Sequence, residues 1–177
     1  MTHNETFSIS QYLSTPDYRM TSYYAYRPSK DAISSFSEFF SQGMQKHPKE
    51  RILSDEIVSG VDELGVMLFG NSHGSYWFGS ILDIDDVKKI VPFNSATSLQ
   101  VCAGVLAGII WAIENPDEGI VESEQMDHKR VMEIARPYLG KVVGVLTDWT
   151  PLSNRQKLFK EDLDHKSVNQ FKNFRAM

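Results

Sequence analysis

Cysteine is almost absent: Cys102 stands alone in 177 residues. One thiol excludes an intrachain disulfide and fits a reducing compartment, so a cytoplasmic location is expected. Histidine is sparse, with His3, His47, His73, His128 and His165 scattered along the chain. With a single cysteine beside them, no structural zinc site can be drawn and no metal is expected. Basic charge is in the minority, 18 Lys+Arg against 23 Asp+Glu, for a net charge of -5. A phosphate backbone wants a basic face, so nucleic acid is not expected as a partner. The 11 glycines form neither G-x-G-x-x-G nor a P-loop, so this chain carries no phosphate cradle for a dinucleotide. Long hydrophobic runs are missing too. The most apolar stretch, residues 101–113, falls short of the ~20 residues of a membrane-spanning helix. It reads as a buried helix, and no membrane is expected. The opening MTHNETFSIS has neither a basic start nor an apolar run, so no targeting segment is read there.

What is present suffices for a core, since 41% of residues are hydrophobic. Residues 1–13 alternate, with Phe7, Ile9 and Gln11 on one side, and predict a strand. A turn follows at 14–17, and the β-prone stretch 22–26 predicts a second strand. Pro28 is placed to open a helix whose stripe is Ala32, Ile33, Phe36, Phe39 and Phe40, with Gly43 as its stop. Two β-like runs follow, 51–58 and 61–69, then a turn at 71–74 and a strand over 75–82. A short helix over 83–91 stops at Pro92. The spacing predicts a long apolar helix over 96–114, capped by Asn94 or Ser95 and closed by Asn115-Pro116. Gly104 and Gly108, four apart on it, call for a close neighbour. A helix over 123–138 ends at Gly140, and 141–146 is a last strand. The polar tail has Phe159, Phe171 and Phe174 as anchors. The expected fold is α+β, a mixed or antiparallel sheet with helices packed on one side, as a single domain over 1–177. The βαβ alternation of a Rossmann domain is absent.

The densest chemical stretch is S-D-E-I-V-S-G-V-D-E-L-G-V, which carries Asp55, Glu56, Asp62 and Glu63 in two β-like runs. Carboxylates among apolar strand residues are costly unless paired or used. Such a cluster could hold a diamine, or it could be a solvated surface. In T-H-N-E, His3 could act as a base or a hydrogen-bond donor, or be an ordinary terminal residue. Trp111 reads as core, Trp77 as strand packing, and Trp149 in T-D-W-T-P-L is open. Tyr23, Tyr24 and Tyr26 read as packing residues. Cys102, mid-helix among apolar neighbours, reads as inert.

The chain resembles the C-terminal part of bacterial homospermidine synthases. The matching segments are T-H-N-E-T-F-S-I-S, Y-A-Y-R-P-S-K-D-A, D-E-I-V-S-G-V-D-E-L-G-V-M-L, Y-W-F-G-S, N-S-A-T-S-L-Q-V, A-G-I-I-W-A-I-E-N-P-D-E-G-I-V-E, P-Y-L-G, T-D-W-T-P-L and Q-F-K-N-F-R. They run in order along the whole chain. G-I-V-E-S-E-Q-M is similar, more distantly, to the closing segment of saccharopine dehydrogenase-like enzymes.

The resemblance implies an NAD-dependent, homodimeric enzyme of polyamine synthesis that joins two putrescines, or spermidine and putrescine, into homospermidine. A bound NAD would take a hydride from one amine and return it after a second amine condenses. The family's N-terminal Rossmann domain is absent from this chain, which would therefore read as a truncated, split or excised product, inactive alone. By resemblance His3 and Asp62 carry the catalytic roles: Asp62 anchors an ammonium, and His3 positions or deprotonates an amine. Asn4, Glu5 and Glu63 are the adjacent substrate-binding candidates. Two other readings are a non-catalytic remnant and a related carboxynorspermidine or saccharopine-type reductase. The latter would need an arginine for a substrate carboxylate, and none lies in the acidic stretch.

Overall fold

The computed structural model describes residues 3–46, 49–155 and 162–174. Phe159, expected as an anchor, and His47 lie outside them. The chain divides into two compact units, one of residues 1–54 and 107–132, the other of residues 55–106 and 133–177.

In the first unit, helix α1 (Asn4–Leu13) replaces the expected first strand. Alternation over three residues does not separate a period of 2 from one of 3.6. The local chemistry favours a helix: Glu5 stands in the first turn, where the helix dipole favours an anion, and the Thr6 hydroxyl donates to the His3 carbonyl at 2.6 Å. The turn after it is present, closed by paired bonds between Thr15 and Tyr18. Residues 22–26 are not a strand, because a β-prone segment needs a ladder and none pairs with it among the described residues. Helix α2 (Lys30–Ser41) forms as expected, but Ser29 caps it, its side chain accepting from the Ala32 amide at 3.2 Å. Pro28 therefore precedes the cap rather than opening the helix. At the other end Gly43 takes φ 72°. Its amide bonds the Phe40 carbonyl and the Met44 amide that of Phe39, a Schellman close. The apolar stripe is real, yet Phe36 and Phe40 remain exposed.

In the second unit, β1 (Val61–Asn71) and β2 (Gly74–Asp83) form a hairpin. Helices α3 (Ile84–Ile90) and α4 (Ala96–Glu114, its first residues in this unit) follow, then α5 (His128–Ala135) across the unit boundary, and β3 (Lys141–Thr147). The sheet is antiparallel with β2 central, so the fold is α+β. The second β-like run is β1, whereas 51–58 is irregular and leaves Ile52 and Val58 exposed. The hairpin turn is closed by the Asn71 side chain, which accepts from the His73 amide at 2.8 Å. The expected helix over 123–138 is broken into a 3₁₀ turn (Ser123–Gln125), α5 and a second 3₁₀ turn (Arg136–Tyr138). Asp127 interrupts it by taking the Lys129 amide on its side chain, as a cap does. The core is Leu82, Ile84, Val87, Ala96 and Leu99, with Ile57, Val91 and Tyr138 packed around it.

Helix α4 is not buried all round. Ala96, Leu99, Gln100, Ala103, Ala107 and Trp111 are buried, while Val101, Val105, Ile109 and Ile113, spaced by four, are exposed. Cys102 is exposed as well. An added Cβ at Gly104 or Gly108 would meet nothing within 4 Å, so the close neighbour expected there is not among the described residues. By length and composition α4 could cross a membrane. Its buried side, including a buried glutamine, is that of a helix packed on protein.

Gly65 and Gly79 face each other across β1 and β2. A Cβ on Gly79 would sit 2.6 Å from the Leu64 carbonyl oxygen and 2.6 Å from Trp77 Cζ2, because the indole lies across the pair. Gly→Ala within a strand ordinarily stabilises slightly. Here Gly79→Ala should instead cost about 1–3 kcal/mol through overpacking. A melting temperature at or above that of the parent would show that the indole gives way.

Candidate functional site

Of the four carboxylates in the acidic stretch, only Asp62 and Glu63 lie on a strand. Asp55 is exposed in the irregular segment and pairs with Lys88 at 3.2 Å. Glu56 is exposed nearby. Neighbours on a strand point to opposite faces. Asp62 and Glu63 therefore cannot grip one ammonium together within this sheet.

Asp62 pairs with Leu82, and Leu64 with Ser80, so Asp62 is on the sheet face that α4 covers at one end. It is half-buried and accepts a hydrogen bond from the Thr97 hydroxyl at Oδ2, 2.5 Å away. Thr97 stands in the first turn of α4, whose Ser95 hydroxyl accepts from the Ser98 amide at 3.1 Å. The helix dipole adds a favourable field for a carboxylate there. Gln100, one turn on, is 2% exposed. Its Nε2 donates to the Asp62 carbonyl at 3.3 Å and to the Ser80 hydroxyl at 2.5 Å. Among the described residues no cation pairs with Asp62. It is a held carboxylate with its counter-charge not supplied.

In the other unit His3 precedes α1, and its Nδ1 contacts the Glu5 carboxylate. That hydrogen bond holds the Glu5 carboxyl below the usual range. A carboxylate only accepts, so Nδ1 carries the proton, and in the neutral ring Nε2 keeps its lone pair. The His3 ring stacks on Tyr24, with centroids 5.1 Å apart and planes at 21°. Asn4 begins α1 and is exposed. A cleft beside α1 is lined by Thr6, Phe7, Ser10, Met20, Ser22 and Tyr23, among others. Burial pushes the Tyr23 phenol up to about 12, so it stays a proton donor at neutral pH. His3 and Asp62 belong to different units.

Trp111 is core, as expected, and Trp77 packs on the glycine pair. Trp149 joins Phe69 and Phe174 in a ring cluster with centroids 5.2–6.4 Å apart, which makes Phe174 an anchor. Phe171 is exposed. Thr97, Gln100 and the Tyr24 stack were not singled out from sequence. The available signal was Gln100 itself, a lone amide on the stripe 96, 99, 100, 103, 107, 111 of an apolar helix.

Residues 1–147 match the model of the saccharopine dehydrogenase C-terminal domain family, and the chain belongs to that family. Among curated proteins it is 47% identical over 179 residues to a homospermidine synthase of Blastochloris viridis, covering 98% of this chain and 38% of that one. It is 46% identical over 180 residues to the homospermidine synthase of Mesorhizobium japonicum, covering 98% and 37%. The solved homospermidine synthase of Legionella pneumophila in complex with NAD superposes with a TM-score of 0.89 at 49% identity, covering 98% of this chain and 39% of that chain. The chain thus spans under two-fifths of the length of these relatives and is similar to their C-terminal part.

Among the described residues, the helix N-termini do not fit the pyrophosphate of a dinucleotide. That group wants bare amides at a helix N-terminus. Here Asp83 caps α3, Asp127 stands at the start of α5, Asp62 lies against the first turn of α4, and Glu5 occupies that of α1.

Proposed function

We propose that this chain is the amine-binding part of a homospermidine synthase, its nucleotide held by a segment equivalent to the rest of the relatives' length. The observation that carries the reading is Asp62: a half-buried carboxylate, oriented by Thr97, with no cation of its own. An ammonium of putrescine or spermidine supplies that charge, and a charge-assisted hydrogen bond contributes roughly 1.5–3 kcal/mol. His3, with Nδ1 engaged by Glu5, offers Nε2 to take a proton from an amine, as the amine must lose one before it can react. The Glu5 carboxylate keeps that ring in one tautomer.

The reading is tested by joining this chain to the N-terminal segment of the Blastochloris viridis relative, giving a full-length enzyme. Homospermidine formed from putrescine with NAD is the expected product. The chain alone should form none and give no calorimetric heat with NAD. A well-folded full-length enzyme that forms no homospermidine would defeat the proposal.

Self-association belongs to the same reading. Leu64, Val66, Leu68, Phe78 and Leu146 share the sheet face of Asp62, beyond the end that α4 covers, and all are exposed. A contiguous apolar patch of that kind is covered in a working assembly. The chain should sediment as a dimer or larger at high micromolar concentration, and Val66→Glu should weaken that association. A monodisperse monomer counts against it.

A further inference from the structure

We infer that Thr97 and Gln100 are positioning residues for Asp62, one holding its carboxylate and the other its backbone; this rests on the reading of Asp62 as the ammonium anchor. A carboxylate turns about a broad, roughly two-fold torsion. The Thr97 hydroxyl, donating to Oδ2 at 2.5 Å, fixes that torsion and leaves Oδ1 to the ligand. Thr97 is itself fixed, because it sits in the capped first turn of α4.

Gln100 acts one level deeper. The Asp62 carbonyl can only accept, so the amide nitrogen is the atom that faces it, and this assigns the orientation of the side chain. The same nitrogen reaches the Ser80 hydroxyl on β2. The Asp62 backbone is thereby tied to β2 and to α4 at once. The arrangement leaves Gln100 Oε1 buried without a partner. A stranded acceptor is destabilising, and methionine would fill a similar space without one. What the amide nitrogen holds is the function that packing does not explain.

The test is a double-mutant cycle in the full-length enzyme. Thr97→Val should raise KM for putrescine about fivefold to tenfold and leave kcat within about twofold, as loss of ground-state binding does. Thr97→Ser, which keeps the hydroxyl, should restore KM. Placed on Asp62→Asn, Thr97→Val should add less than about twofold, because the charge it orients is gone. Gln100→Met should raise KM in the same direction with the melting temperature held or increased. Full multiplicative losses in the cycle, or failure of Thr97→Ser to restore KM, would assign Thr97 to structure and overturn the inference. If Asp62→Asn acts and Thr97→Val does not, the positioning role alone falls. If Asp62→Asn leaves KM unchanged, the anchor reading falls and this inference with it.

Discussion

Asp62→Asn lowers kcat/KM for putrescine by about tenfold or more in the full-length enzyme, chiefly by raising KM, with the melting temperature little changed. The substitution keeps the shape and removes the charge. A hydrogen bond to a charged group contributes roughly 1.5–3 kcal/mol against ~1 for a neutral one, and 1.4 kcal/mol is one decade in rate. Folding is insensitive because Thr97 can donate to the amide oxygen as it does to Oδ2. The carboxylate, moreover, has no cation of its own to lose. Asp55→Asn is the control. It removes an exposed pair with Lys88, which contributes at most about 1 kcal/mol and touches no amine. Steady-state kinetics with both variants decides. Full activity in Asp62→Asn, or an equal loss in Asp55→Asn at unchanged stability, would sink the assignment.

Asn173→Ala should be the most destabilising single change near the C-terminus. Asn173 is fully buried. Its side-chain oxygen accepts from the Asp164 amide at 2.9 Å, and its nitrogen donates to the carbonyls of Asp164 and Val168, each at 2.8 Å. Its own carbonyl accepts from the Arg155 guanidinium. One side chain thus satisfies backbone groups that have no other partner among the described residues, in a turn without a ladder. Leaving such groups unpaired costs about 1–3 kcal/mol each, less where water returns, so a net loss of about 2–4 kcal/mol is expected. That corresponds to a fall in melting temperature of roughly 5–15 °C. Residues 162–174 should become susceptible to protease before the rest of the unit. A shift of a degree or less would show that the tail is held by the Phe69–Trp149–Phe174 cluster instead. The same segment has an acid sensitivity. Backbone amides of Ser167 and Lys166 hold the Asp164 carboxyl below its ordinary value. Its contribution is present above the usual carboxylate range and is lost as pH falls through the lowered value. Protease susceptibility of the tail should rise with acidification in that window.

The elements legible in the sequence were those written in local terms. The 71–74 turn, the strands around it, the body of α2 and its stop at Gly43, the exact span of α4 and the last strand all follow from period, caps and turn residues within a few positions. The strands expected at 1–13 and 22–26 and the run 51–58 were not, because a strand exists only through a ladder that another segment provides. The family was legible too, from ordered motifs, and the comparison confirms it at nearly half identity.

The sequence could mark Asp62 as an acid in an apolar run, but not which of four acids is half-buried and held by a hydroxyl. That depends on Lys88 reaching Asp55, and on Thr97 and Gln100 lying 35 and 38 positions from Asp62 along the chain. Nor could it say that α4 is only half covered, or which face of β1 it covers. Composition and period are properties of neighbours in the chain, so the sequence by itself determined the family, helices α2, α3 and α4 and the hairpin. Hydrogen bonds between β1, β2 and α4 join residues that no period relates, so only the tertiary structure decided which carboxylate is held, and on which face.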